Sequence, residues 1–248
     1  MKNNKYTIIL VAIFSILFIG TGFTLILKID SVIKNFNHSS PEEIKPFYYT
    51  EVKGLAKVLK KGGSQRVERY ILAHPDIYID TPELLYGNNL LMYTIYNNQL
   101  NKSRVLLHYG ANPNHTNKSF ETPLIIATKL KNYDALLLLC KFGADPNYAP
   151  GGCDKTAYRW GANDLAALII LVREGLDISN KEVFNTLLKN ADNIDVIYYL
   201  ICENSINADL KSIIDDNYER ILDICHSSDK CNSFKKQCIL SRMGAYKR

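Results

Sequence analysis

Apolar and polar positions divide this chain into one long uncharged run and a series of short ones. Residues Thr7 to Leu27 are twenty-one positions without a charge, preceded by Lys2 and Lys5. As a helix rising ~1.5 Å per residue, that run spans ~31 Å, the thickness of a bilayer's hydrocarbon core. The pattern therefore predicts a transmembrane helix over 7–27 behind a short N-terminus, residues 1–6. Gly20 and Gly22 also have the small-residue spacing of a signal-peptide cleavage site, but Phe23, Leu25, Ile26 and Leu27 carry the apolar run past it, which favours an uncleaved anchor. Lys2, Lys5 and the amino terminus lie on the short side, while Lys28 and Lys34, offset by Asp30, lie on the other. This bias predicts the N-terminus in the cytoplasm and the bulk of the chain outside, on the periplasmic side of a bacterial inner membrane. Residues 28–46, with Ser39, Ser40, Pro41 and Pro46, read as a linker.

Beyond the linker the apolar runs are too short to form stable helices alone. In the stretch ETPLIIATKLKNYDALLLLCKFGADPN, residues 121–147, two such runs end at a polar turn. The pattern recurs. NLLMYT begins at Asn89, TPLIIA at Thr122 and TAYRWG at Thr156, starts that lie 33 and 34 residues apart. Each leads through an apolar run to a glycine: LLHYGANPN ends at Asn114, LCKFGADPN at Asn147 and LVREGLDIS at Ser179. Two successive copies of G-A-[ND]-P-N in register resemble the ankyrin repeat. Pro123 suits a first helical turn, and Gly143 suits the left-handed residue that ends a helix. Leu124, Ala127, Leu136, Leu139 and Cys140 would face neighbouring repeats, so each helix pair buries its apolar side only by stacking.

The resemblance implies an all-α solenoid of stacked helix pairs over residues 47–225, preceded by the transmembrane helix. Its best-defined repeats are 84–116, 117–149 and 150–179. The family's usual His after Thr-Pro-Leu is replaced by Met92, Ile125 and Arg159, so the Thr–His tie between repeats is missing. The third repeat is two residues short between Thr156 and Gly175, placed in its first helix. The flanks read as degenerate pairs: Glu51–Lys61 with Val67–Ala73 upstream, Lys181–Asn190 with Ile194–Asn204 downstream, and Leu210–Cys225 opening one more.

Charge adds a C-terminal feature. Residues 230–248 hold six basic side chains and no acid, so the rest of the +5 chain is nearly neutral. Residues 226–248 read as a basic, Cys-containing tail: a solvated terminus, or a contact for phosphate or anionic lipid. Nucleic-acid binding would call for a basic face on the folded body, and none is expected.

Chemistry is sparse. There is no Gly-rich phosphate loop, GxSxG or HExxH, and the five histidines lack ligand-spaced partners. No enzyme activity and no cofactor are expected. Cys140 and Cys202 occupy apolar helix positions. Cys225, Cys231 and Cys238 lie close together and suggest a disulfide if the domain is exported; free thiols are the alternative, and a metal site with His226 the remote one.

Ankyrin stacks bind proteins through loop tips and first helices. Mapping the family's exposed positions onto this chain implies Tyr86, Asn88, Tyr96, Asn97, Lys118, Ser119, Phe120, Glu121, Lys129 and Lys155 as the contact surface. Phe120 stands where the family commonly has Gly at a loop tip, and aromatics are favoured interface anchors. The expected function is thus a membrane-anchored binding module for another protein. Its most specific form is an immunity or inhibitor protein that sequesters a toxin or secreted effector. An envelope scaffold and a protector of a periplasmic enzyme are the alternatives.

Overall fold

The computed structural model describes residues 44–152, 155–203, 208–227 and 233–246. The expected transmembrane helix over 7–27 and most of its linker lie outside these residues. Among the described residues no helix is long and apolar enough to cross a membrane.

After a 3-10 turn at Lys45–Tyr49, the helices are α1 (Lys53–Lys61), α2 (Ser64–Leu72), α3 (Leu90–Tyr96), α4 (Leu100–His108), α5 (Pro123–Lys129), α6 (Tyr133–Lys141), α7 (Ala157–Gly161), α8 (Leu165–Arg173), α9 (Lys181–Asn190), α10 (Ile194–Tyr198), α11 (Ala208–Asp216), α12 (Tyr218–Ser227) and α13 (Ser233–Tyr246). A π turn, Tyr199–Glu203, extends α10. No strand occurs among the described residues.

Two rows of helices arise from this order. The first helices α3, α5, α7, α9 and α11 each pack on the next, and so do the second helices α2, α4, α6, α8, α10 and α12. Helices of five to ten residues persist because one face is covered and several are capped by a side chain. Asn89, Thr122 and Thr156 cap α3, α5 and α7 by accepting from the backbone N–H of Met92, Ile125 and Arg159 at 3.0, 3.2 and 3.3 Å. Asn132 and Asp164 do the same for α6 and α8. Gly110, Gly143 and Gly175 end the second helices at φ +88°, +87° and +106°, where an L side chain is strained. Leu90, Leu91, Leu106, Leu124, Ile126, Leu136 and Leu139 are buried between the rows.

Met92 and Ile125, at the position of the missing His, are fully buried, so apolar packing replaces a polar tie there. The polar tie lies elsewhere. The side-chain amide of Asn114 donates to the Gly143 carbonyl at 2.9 Å and accepts from the Asp145 N–H at 2.9 Å. Asn147 repeats both bonds to Gly175 and Asp177 at the same distances. The conspicuous G-A-x-P-N signature thus ends in the residue that links one repeat to the next.

The expected flanking pairs are present as α1–α2 and α9–α10, but the expected element over 210–225 is broken at Asn217 into α11 and α12. The tail expected over 226–248 needs correction. Residues 233–246 form α13, which packs on α10 and α11 with Ile239 and Met243 buried. These two apolar residues are four apart, one helical face within a basic stretch whose charge masked the pattern. Lys235 pairs with Asp195 of α10 at 2.5 Å, and Arg242 donates to the Cys202 carbonyl at 3.3 Å.

Candidate functional site

Two loops precede α3 and α5 and stand side by side as fingers. Glu83 organises the first. Its buried carboxylate accepts from the N–H groups of Leu85, Tyr86 and Asn88 at 2.6, 2.7 and 3.0 Å. Asn117 organises the second, accepting from Ser119 and Glu121 N–H at 2.9 Å each. Its amide then donates to the Asn88 side-chain oxygen at 2.9 Å, joining the fingers through two buried side chains. The Lys118 N–H donates to the Tyr86 carbonyl at 2.9 Å and its ammonium to Leu84 at 2.5 Å. Lys155 crosses from the third loop to the Ser119 carbonyl at 2.8 Å. Satisfied buried polar bonds of this kind fix a loop in one conformation.

The resulting face holds most of the residues implied by the resemblance. Tyr86 and Tyr96 are half-buried; Asn97, Lys118, Ser119, Phe120, Lys129 and Lys155 are exposed. Asn88 is the exception. At 1% exposure it cannot meet a partner, because its side chain bonds Asn117 inside the finger pair. Glu121 accepts from Tyr96 at 3.2 Å and is ion-paired with Lys129, tying finger to first helices. Burial alone would raise the Glu121 carboxyl, but hydrogen bonds from Lys129, Asn117 and Tyr96, with the Lys129 charge, outweigh it and hold the group below its ordinary range.

Phe120 has φ +57° and its side chain is 48% exposed. A Cβ on Gly151 would lie 2.7 Å from the Phe120 ring, so one side of the ring rests on the third loop and the rest faces solvent. The ring thus folds partly back and remains an aromatic surface.

Trp160 is the functional candidate that the sequence reading missed. Its equivalents four residues after the cap, Tyr93 and Ile126, are buried, whereas Trp160 is 48% exposed with the Lys129 ammonium 4.3 Å from its ring. The signal was legible in the spacing. Thr122 follows Gly110 by twelve positions and Thr156 follows Gly143 by thirteen, but Asn180 caps α9 only five after Gly175. No finger precedes α9, and Arg159 and Trp160 line the space that opens there.

Two of the described cysteines have thiols held in the protonated form. Cys140 is half-buried; burial, then Glu174, pushes its thiol up to about 12. Cys202 is pushed up to about 12 by burial and by its hydrogen bond with Cys238. Cys225 is buried and Cys238 half-buried, while Cys153 and Cys231 lie outside the described residues. Cys238 therefore meets Cys202 of α10, a neighbour 36 positions away that sequence proximity did not suggest. Among the described residues no cluster of His, Cys, Asp or Glu is arranged to hold a metal ion.

Comparison with known proteins agrees with this geometry. The family model for ankyrin repeats (three copies) matches residues 55–149. A fowlpox virus (strain NVSL) protein named as an ankyrin repeat protein, FPV014, is 30% identical over 121 residues, 47% of this chain and 28% of that protein. The chain thus spans little more than a quarter of that relative's length. Among solved structures, the crystal structure of EF0377, an ankyrin repeat protein, superposes with a TM-score of 0.51 at 19% identity, covering 73% of this chain and all of the other. Residues 55–149 therefore match ankyrin repeats, set within an all-helical solenoid.

Proposed function

We propose that this chain captures a protein partner on the face made by its fingers and first helices, held at a membrane by residues 7–27. The observation that carries the reading is the locked finger pair. Buried Asn88, Asn117 and Glu83 fix the loops, so Phe120 and Tyr96 present aromatic surface from a backbone that is already ordered. Pre-ordered loops lower the entropic cost of association, and aromatic anchors concentrate its energy. No step of chemistry is assigned to the chain.

In its most specific form the proposal is sequestration of a toxic protein in the bacterial envelope, as an immunity protein does. An anchor at 7–27 and a linker of about nineteen residues, with a flexible reach of ~22–26 Å, would keep the face near the periplasmic surface of the inner membrane. The test uses the product of the neighbouring gene. Tight binding that is lost in Phe120→Ala or Tyr96→Ala, with rescue of cells expressing that product, is the expected result. Absence of binding, together with no growth defect on deletion in crowded sibling culture, overturns the immunity form.

A further inference from the structure

We propose that the groove between α7 and α9 is a subsite for an acidic, extended segment of the protein partner. This rests on the protein-binding reading and specifies the chemistry of what is bound. The groove, about 510 Å³, is lined by Lys155, Arg159, Trp160, Lys189 and Asp192. It exists because the chain omits a finger before α9. The residues three and four positions after the cap are buried apolar side chains in α3 and α5, Met92–Tyr93 and Ile125–Ile126; in α7 they are the exposed pair Arg159–Trp160. The sequence has therefore placed a guanidinium and an indole where a solenoid position ordinarily packs.

Charge selects the occupant. Among the described residues, three cationic side chains line the groove against one carboxylate, and that carboxylate, Asp192, is already paired with Arg220 of α12 at 3.1 Å. Asp192 is also held from the backbone, its N–H donating to the Asn163 side chain at 2.6 Å. Lys155 donates to a neutral carbonyl, that of Ser119, so its charge remains available to a carboxylate. Lysines such as Lys155 and Lys189 beside a desolvating aromatic surface are suited to carboxylate side chains. Trp160, steadied by Lys129 on its ring, supplies an apolar wall for the methylenes and backbone of the same segment. The basic area is local: Glu121 and Asp164 flank it, and the body outside residues 230–248 is nearly neutral, so a long polyanion such as a nucleic acid would find no continuing track.

Trp160 is the chain's single tryptophan, so its emission reports on the groove directly. The experiment titrates the full chain, in mild detergent, with a synthetic peptide of alternating Glu and Gly. The expected result is a saturable change in Trp160 emission with protection from acrylamide quenching. A Gln–Gly peptide should be inert. Lys189→Gln and Arg159→Gln should each weaken the Glu–Gly response by about tenfold, while Lys60→Gln in α1 should not. Lys155→Gln is a weaker probe because it also frees the Ser119 carbonyl, so Lys189→Gln, exposed and at the end of α9, decides the matter. An unchanged emission, an equal response to a Lys–Gly peptide, or tighter binding of an oligothymidylate of matched charge overturns the proposal. A partner that binds through Phe120 while its affinity ignores Lys189→Gln and Arg159→Gln would overturn the groove alone and leave the protein-binding reading standing.

Discussion

Asn114 reaches across a repeat boundary to Gly143: its amide donates to the glycine carbonyl at 2.9 Å while its oxygen accepts from the next N–H but one, that of Asp145. The pair ties two repeats together where the sequence lacks the Thr–His bond expected of an ankyrin repeat. Asn114→Ala should remove both bonds and destabilise the stack by ~1 kcal/mol, the lower range because the bonds are exposed. Asn114→Asp keeps an acceptor for Asp145 but cannot donate to Gly143, so its loss should fall between. Urea denaturation of the three proteins checks the order.

Gly143 and Gly244 should respond oppositely to alanine. A Cβ meets nothing within 4 Å at either site, so contacts do not decide the outcome. Gly143 has φ +87°, and Gly143→Ala should cost ~1 kcal/mol in backbone strain. Gly244 lies in α13, and Gly244→Ala should stabilise by ~0.5 kcal/mol through reduced unfolded-chain entropy. Melting temperatures that move the same way would refute this account of Gly143.

Phe120 separates stability from binding. Its left-handed backbone is strained for any side chain, and its ring rests on Gly151. Phe120→Ala loses the ring contact and keeps the strain; Phe120→Gly loses the contact and relieves it. The glycine variant should be the more stable by ~1 kcal/mol, yet both should lose partner binding. Thermal melts beside a binding titration resolve the two effects.

Acid should release the second finger through Glu121. Its carboxyl lies below the ordinary range in the folded chain, so its stabilisation is complete above the unfolded-state value and is lost as pH falls through the folded one. The melting difference between wild type and Glu121→Gln should therefore be constant near neutrality and vanish only below the ordinary carboxylate range. A difference that disappears at neutral pH would contradict the Lys129 and Tyr96 contacts.

The period of 33–34 residues, the caps at Asn89, Thr122 and Thr156 and the closing glycines were legible because each is a local chemical demand: a side chain that accepts from a nearby N–H, or a residue without Cβ where φ is positive. Phe120 and Tyr96 could be placed for the same reason, by counting from those marks. Asn88 could not. It resembles any loop Asn until Asn117, 29 residues on, is seen to bond it. Nor could α13, whose buried Ile239 and Met243 are diluted by lysines that point elsewhere. Trp160 is intermediate, announced by the short spacing from Gly175 to Asn180 only when the following repeat is counted. Its exposure depends on a finger missing from the following repeat, a property of the neighbour and not of the residue.

The central claim is that the fingers and first helices, and not the second-helix row, meet the partner. The most direct measurement is the Kd of the neighbouring gene's product for wild type, Phe120→Ala, Trp160→Ala and Leu137→Ala. Leu137 is an exposed apolar residue of α6 and serves as the comparison on the second-helix row. The account predicts weakening of about thirtyfold or more at Phe120 and Trp160, the scale of an interface hot spot, and an unchanged Kd at Leu137. A loss at Leu137 with Phe120 and Trp160 silent would place the partner on the opposite row and contradict it.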